Sequence, residues 1–382
     1  MTNNKPRILR QEALDLLRFP LAVIVVIAHT FSLDDVVASG ITYKVSEYPL
    51  FGDVSIFIDA FLRGISVPIY FFISGYVFFV SDEFSCNVYK KKIKNRIHTL
   101  LVPYIIWNAI AAFLIIFKQL PIFESFLSNS NSTLNLTPYT IIECFWKYNG
   151  NINPNSFVDG EPQMLSGSYF PVNAALWYLR DLMIIVLTTP IIYYVVKKFK
   201  MYSPYLFLVV YIASVFLNWP ISMIAGGYFF FSWGAYMSIF NIDMMKTFRK
   251  YFKISIIMYL FNCGLYVMLQ AIMPPMISWI KIINSIFALL ACFNIAAWLL
   301  QNTSLKVSSF LASSSFFIYV SHCVFYGRLR KLLFMLMKPD SGIEIVAIYI
   351  LTVILLVLIL VLIFYLLKRF CPTTLKLVAG RK

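Results

Sequence analysis

The chain has 382 residues, of which 60% are hydrophobic and 13% are charged, and its mean hydropathy is +0.78. This apolar content exceeds what a water-soluble domain could bury in a core, so the composition excludes an ordinary soluble protein. The net charge is +15, and an excess of positive charge is typical both of nucleic-acid-binding proteins and of the cytoplasmic loops of membrane proteins.

Apolar stretches of about 17 to 25 residues predict membrane-spanning helices. We therefore predict an all-α polytopic membrane protein that forms one integral-membrane domain over residues 1–382, with both termini in the cytoplasm. The ten predicted spans cover residues 11–31, 64–80, 99–117, 173–196, 204–218, 222–240, 254–272, 276–299, 307–327 and 344–367.

Lysine and arginine are concentrated in segments that this topology places in the cytoplasm, such as YKKKIKNR at 89–96 and KTFRKYFK at 246–253. Cytoplasmic loops of membrane proteins carry such an excess, so the charge indicates topology and we predict no nucleic-acid partner. RLRK at 328–331 is the exception, because the topology places it outside. It either lines a polar outer site or shows that the ninth span is misdrawn.

The first predicted span contains two ionisable residues, Arg18 and His29. Eleven residues at 100° each return to within about 20° of the starting direction, so both side chains share a helix face, roughly 16 Å apart along the axis. Ionisable residues at membrane depth are costly and usually mark function. His29 could act as a general base near the outer side, because imidazole titrates near neutrality.

The second predicted span carries Arg63 at its outer mouth and Ser74-Gly75 near its middle. Glycine beside serine permits close approach of another helix, which packing alone would explain. Ser74 is also a candidate nucleophile, provided that a base lies within reach.

The third span follows the basic run that contains Lys92, Lys94 and Arg96. The positive-inside rule accounts for these charges without a further role. They could also form an electrostatic cradle for the phosphates of an acyl-CoA donor, which Arg18 would extend into the membrane.

Arg180 and Asp181 lie about two turns into the fourth span. Adjacent helical residues point in different directions, so we expect more than a mutual ion pair, with each residue having a partner on another helix. Arg180 could bind a phosphate, a carboxylate or a developing oxyanion, or it could pair structurally with Asp15 or Asp59.

His322 is placed near the outer end of the ninth span, where it could meet His29 or form a structural hydrogen bond. The six cysteines show no C-x-x-C spacing, so we predict neither a metal site nor a disulfide framework. The long polar stretch at 118–172, rich in Asn, Ser and Pro, predicts an outer loop that is either a lid or disordered.

Six segments together resemble acyltransferase family 3, the integral-membrane O-acyltransferases that modify bacterial cell-surface glycans. They are LDLLRFPLAVIVVIAHT, VPIYFFISGYVFF, RIHTLLVPYIIW, ALWYLRDLMIIV, SSSFFIYVSHCVFY and the C-terminal tail from Pro372 to Arg381. The resemblance implies ten spans in the bacterial inner membrane, a cytoplasmic acyl-CoA donor and an outward-facing acceptor, with Arg18 and His29 essential. It also singles out Phe71, Ser74 and Gly75, and Trp177, Arg180 and Asp181. Family members often carry a second basic residue where this chain has Thr99.

The sequence thus predicts an O-acyltransferase that moves an acetyl or succinyl group from acyl-CoA to a hydroxyl of a polysaccharide or glycolipid, without a permanently bound cofactor. His29 would deprotonate the hydroxyl, and Arg180 or Arg63 would stabilise the oxyanion. A covalent acyl-enzyme on Ser74 is a variant of this hypothesis. The alternative class is a non-enzymatic transporter or flippase of glycans or lipid-linked sugars, although the sequence shows no inverted repeat of the kind expected there.

Overall fold

The computed structural model of the protein describes residues 5–80, 84–118, 137–147, 157–158, 161–162, 170–219 and 221–380. Within these ranges the chain is almost entirely helical, as predicted. The helices are α1 (Lys5–Thr30), α2 (Pro49–Ile58), α3 (Ser66–Phe79), α4 (Cys86–Arg96), α5 (Val102–Lys118), α6 (Pro138–Trp146), α7 (Trp177–Leu187), α8 (Thr189–Phe199), α9 (Ser203–Phe216), α10 (Ser222–Ile239), α11 (Met244–Arg249), α12 (Phe252–Leu269), α13 (Pro274–Asn302), α14 (Ser309–Met337), α15 (Gly342–Phe370) and α16 (Pro372–Val378).

The strands described are short and form two antiparallel hairpins. β1 (Val36–Ala38) pairs with β2 (Ile41–Tyr43), and β3 (Phe157–Val158) pairs with β4 (Glu161–Pro162). The second hairpin and α6 fall inside the predicted outer loop at 118–172, much of which lies outside the described residues.

Each of the ten predicted spans contains helix, which confirms an all-α membrane protein. Eight helical stretches of the described chain are long and apolar enough to cross a membrane. One of them, Thr189–Phe216, comprises both α8 and α9, between which Lys200 adopts a positive φ of 49°. The number ten therefore stays a prediction.

Helices α3 and α10 lie in close contact because glycines replace side chains where they cross. A Cβ atom on Gly75 would lie 2.0 Å from the carbonyl oxygen of Phe231, and one on Gly234 would lie 2.1 Å from that of Phe72. Small residues let helix backbones approach in this way inside membranes. The packing role predicted for Gly75 is thereby confirmed.

Helix α1 packs against four other long helices, α14, α13, α15 and α3. Hydroxyl groups of α3 bind its backbone: Ser66 Oγ donates to the carbonyl of Leu21 at 2.9 Å, and Tyr70 donates to that of Arg18 at 3.0 Å. These bonds hold the face of α1 that carries Arg18 against α3.

Two regions of the bundle carry the candidate functional residues. We call the end that carries α4, with Lys90, Lys91, Lys92, Lys94 and Arg96, the basic end, and the end near His29 and His322 the histidine end. The start of α1 and the helix α16 both lie at the basic end, because Arg10 bonds to Tyr76 at 2.6 Å and Gly380 abuts Thr99. That this end faces the cytoplasm remains a prediction.

The predicted boundary of the ninth span is wrong. Helix α14 continues to Met337, well past the predicted end at residue 327, so that RLRK at 328–331 forms part of the helix. Arg330 is buried, and its Nη1 lies 3.2 Å from the carbonyl of Thr30 and 3.1 Å from the hydroxyl of Tyr349. The segment therefore belongs to the histidine end, and Arg330 forms contacts between helices.

Candidate functional site

A cavity of about 710 Å³ opens among α1, α3, α4, α7, α14 and the C-terminal tail. It brings together candidates from separate parts of the sequence. Arg18, Ser74, Lys92 and Arg96 all line it, as do Asp15, Tyr70, Asn95, Thr99, Tyr178, Tyr319, Ala379 and Gly380. We call this space the basic cavity.

Arg18 is held at the wall of the basic cavity by an ion pair. Its Nη1 lies 2.7 Å from Oδ1 of Asp15, one helical turn earlier on α1. The side chains are 44% and 33% exposed, so water screens the pair and it contributes little to stability. An anionic ligand could therefore replace Asp15 as the partner of Arg18 at small cost.

The basic residues of α4 do not all face the cavity. Arg96 and Lys92 line it, and Lys92 donates to the carbonyl of Phe78, whereas Lys94 is exposed and lies outside the lining. Asn95 Oδ1 and Thr99 Oγ1 are buried and have no hydrogen-bond partner among the described residues. Buried polar atoms of this kind are costly unless a ligand or water satisfies them.

The C-terminal tail closes one side of the basic cavity. Trp107 of α5 donates through Nε1 to the carbonyl of Val378 at 2.9 Å. Gly380 has φ +59°, and a Cβ atom there would lie 2.1 Å from the carbonyl oxygen of Thr99. Glycine is therefore required both by the left-handed backbone and by the contact with Thr99.

Ser74 faces a tyrosine. Its Oγ lies 3.3 Å from the hydroxyl of Tyr178 on α7, the partner found for it among the described residues. A serine nucleophile needs a base such as histidine or a carboxylate, and a neutral tyrosine is a poor one. The geometry thus disfavours the covalent Ser74 variant and indicates that Ser74 orients Tyr178.

Aromatic side chains continue from the basic cavity to the histidine end. The ring centroid of Tyr178 is 5.8 Å from that of Tyr319, which in turn is 6.3 Å from the imidazole of His322. Sequence reasoning missed both tyrosines. Tyr319 could have been found from its position three residues before His322, because residues at that spacing share a helix face.

His29 and His322 meet, as the sequence suggested they could. Their ring centroids are 5.2 Å apart, and His322 is fully buried. Nδ1 of His322 lies 2.7 Å from the carbonyl oxygen of Tyr319, and because a carbonyl only accepts, Nδ1 carries the hydrogen. Nε2 of His322 therefore presents a lone pair.

The expected partner on another helix is found for Arg180, at the carbonyl of Trp146 on α6, but Arg180 also forms an ion pair with the adjacent Asp181. Both Nε and Nη2 of Arg180 lie 2.9 Å from Oδ1 of Asp181, because the long guanidinium side chain bends back along the helix. Arg180 also donates to the carbonyl of Trp146 at 2.8 Å and lines an apolar cleft of about 570 Å³ on the side of the bundle.

Two further residues that the sequence singled out, Trp177 and Arg63, lie outside the lining of the basic cavity. Trp177 is half-buried and packs against the core. Arg63 ends a π-helical turn, pairs with Asp59 at 2.6 Å, and donates to the carbonyl of Phe31 at 3.3 Å. This last bond places Arg63 near the histidine end, because Phe31 follows His29 by two residues.

The fold and site define a multi-pass membrane protein with a charged cavity at one end and an imidazole pair towards the other. The family model described as an acyltransferase domain, that of acyltransferase family 3, matches residues 11–368. The chain belongs to this family, and it is a membrane acyltransferase. Comparison with curated proteins and with solved structures gave no significant match.

Proposed function

We propose that the protein transfers an acyl group, acetyl or succinyl, from acyl-CoA at the basic end to a hydroxyl of a cell-surface polysaccharide or glycolipid at the histidine end. The bacterial inner membrane would be its location. The observation that carries this proposal is the continuous series of polar side chains from the basic cavity through Tyr178 and Tyr319 to His322 and His29.

The basic cavity suits the donor. Its volume lies within the range of about 300–1,000 Å³ found for small-molecule sites. Arg18, Lys92 and Arg96 supply positive charge for the phosphates of CoA. The unpartnered atoms of Asn95 and Thr99 offer hydrogen bonds to the amides of the pantetheine arm. Thr99 would thus contact the donor from the position where family members often carry a second basic residue.

His29 is the proposed general base. It takes the proton of the acceptor hydroxyl while the oxygen attacks the acyl carbonyl carbon, the carbon–sulfur bond breaks, and the CoA thiolate leaves with the proton. The hydrogen bond from Nδ1 of His322 to Tyr319 holds the second imidazole in one orientation beside the first.

Tyr178 is better placed than Arg180 to stabilise the oxyanion. Its hydroxyl lines the basic cavity and is oriented by Ser74, whereas Arg180 pairs with Asp181 and faces the lateral cleft. A fixed hydrogen-bond donor aimed at developing charge is the usual device of acyl-transfer sites.

Mass spectrometry of cell-surface glycans tests the proposal in a deletion strain complemented with wild type, His29→Ala or His98→Ala at equal membrane levels. His98 is the matched control, because it is an exposed histidine at the basic end. We expect an acyl mass increment with wild type and His98→Ala and none with His29→Ala.

Persistence of the acyl mass increment in His29→Ala would show that His29 is not the general base. Altered glycan export without an increment in any strain would favour the transporter hypothesis.

A further inference from the structure

Three side chains at the histidine end converge on one point. Each of His29, His322 and Cys323 offers a nitrogen or sulfur atom, and these atoms all lie within 4.8 Å of one another. Sγ of Cys323 is 3.4 Å from Nε2 of His322. Helix α1 contributes one of the groups and α14 contributes two, so helix packing alone assembles the cluster.

The orientation of His322 is that of a metal ligand. Its Nδ1 hydrogen is directed at the carbonyl of Tyr319, which leaves the lone pair of Nε2 facing the cluster. Histidines that bind metals usually donate the other ring hydrogen to a carbonyl or carboxylate in this way, because the bond sets both the tautomer and the ring angle.

We propose that His29, His322 and Cys323 bind a single thiophilic cation, for which Zn²⁺ is the representative ion. Imidazole nitrogen and thiolate sulfur are the donors that Zn²⁺ prefers, whereas Mg²⁺ and Ca²⁺ require oxygen. Three protein ligands leave the fourth tetrahedral position open. His29 and Cys323 are only partly buried, and the thiol releases one proton when the ion binds.

Binding would make the site inhibitory, a consequence that rests on the proposed function. A cation on His29 occupies the lone pair that takes the proton of the acceptor hydroxyl. Acyl transfer would then stop reversibly in the presence of Zn²⁺ and recover when a chelator removes the ion. Cys323 has no part in the proposed transfer, so a variant at this position separates inhibition from catalysis.

Cobalt is the probe for the site itself, because a thiolate bound to Co²⁺ gives a charge-transfer absorption in the near ultraviolet. Purified full-length protein is titrated with CoCl₂ as wild type, Cys323→Ala and Cys292→Ala. Cys292 is the matched control, a half-buried cysteine of α13 that lies outside the cluster. We expect the band with wild type and Cys292→Ala, saturating at one ion per chain, and its loss in Cys323→Ala.

His322→Ala should weaken binding at least about 100-fold, the upper range for loss of a supporting residue at metal sites. A band that is absent from wild type or unchanged in Cys323→Ala overturns the proposal. If His322→Ala does not fold, Cys323→Ala alone decides, because thiol removal is a small change.

An activity assay then separates the two proposals. We expect Zn²⁺ to inhibit acyl transfer by wild type and Cys292→Ala, and Cys323→Ala to need at least about 10-fold more Zn²⁺ for the same inhibition. Cobalt binding without any acyl transfer would overturn the proposed function and support the metal site. Acyl transfer without the cobalt band would support the proposed function and overturn the metal site.

Discussion

The basic cavity and the histidine end differ in how they hold their charged and polar groups. In the cavity, Arg18 and Asp15 form a partly exposed ion pair, and two polar atoms of Asn95 and Thr99 have no partner among the described residues. At the histidine end, His322 is fully buried and its Nδ1 hydrogen has a partner. The first region is organised to accept a ligand, and the second holds the imidazole of His322 in one orientation beside that of His29.

This difference predicts different consequences of mutation. Groups in a partly hydrated cavity can be lost one at a time, because water replaces each lost contact. A proton-transfer group in a packed site has no such substitute. Variants of the charged residues of the basic cavity should therefore alter donor affinity, and variants of the histidine end should alter the rate of the chemical step.

The largest effect is expected for His29→Ala. Loss of a general base should lower the rate of acyl transfer about 10²–10⁴-fold. Affinity for acyl-CoA should change little, because the proposed contacts with the CoA phosphates lie in the basic cavity. Isothermal titration with acetyl-CoA, next to a transfer assay, measures both quantities, and His98→Ala should match wild type in each. Weaker donor binding by His29→Ala would contradict the proposal that the basic cavity sets donor affinity and the histidine end sets the rate.

A smaller effect, on binding, is expected for Arg18→Ala. Loss of charge-assisted hydrogen bonds worth about 1.5–3 kcal/mol should weaken acyl-CoA binding about 10- to 100-fold. Asp15→Asn is the sharper comparison, because it breaks the same ion pair but keeps the arginine. It should preserve or improve donor affinity, as measured by titration with acetyl-CoA. Equal losses in the two variants would mean that the ion pair, and not the free guanidinium, is what matters.

Gly380→Ala tests whether the C-terminal tail forms part of the donor site. The new Cβ would clash with the carbonyl of Thr99, and such overpacking costs about 1–3 kcal/mol. We expect the tail to move away, which raises the KM for acyl-CoA and lowers the thermal stability. Gly40→Ala has the same left-handed strain but nothing within 4 Å of the new atom, so its KM should stay at the wild-type value.

The smallest effect is expected for Ser74→Ala. It removes one hydrogen bond to Tyr178, worth about 0.5–1.5 kcal/mol, so acyl transfer should fall less than about tenfold. Tyr178→Phe should cost at least as much, because the oxyanion then loses its donor. Steady-state rates of both variants distinguish a serine that orients Tyr178 from a nucleophilic serine. A loss of rate in Ser74→Ala as large as in His29→Ala would support the covalent mechanism.

Much of the architecture could be predicted because membrane helices are encoded locally. Hydropathy located helix in all ten predicted spans, and helical periodicity placed Arg18 and His29 on one face of α1. The close approach at Gly75 was likewise predictable from a small residue in an apolar helix. The end of α14 could not be predicted from hydropathy. Arg330 is buried there by contacts with Thr30 and Tyr349, which depend on tertiary packing.

The sequence by itself determined the class of this protein, its helices and the presence of an arginine and a histidine in the first span. Each of these depends on residues that are neighbours along one helix. Only the tertiary structure decided which groups meet between helices. It set Tyr178 against Ser74, laid the C-terminal tail on Thr99 and brought His29 to His322 and Cys323. Those contacts depend on how whole helices rotate and pack, which no local pattern specifies.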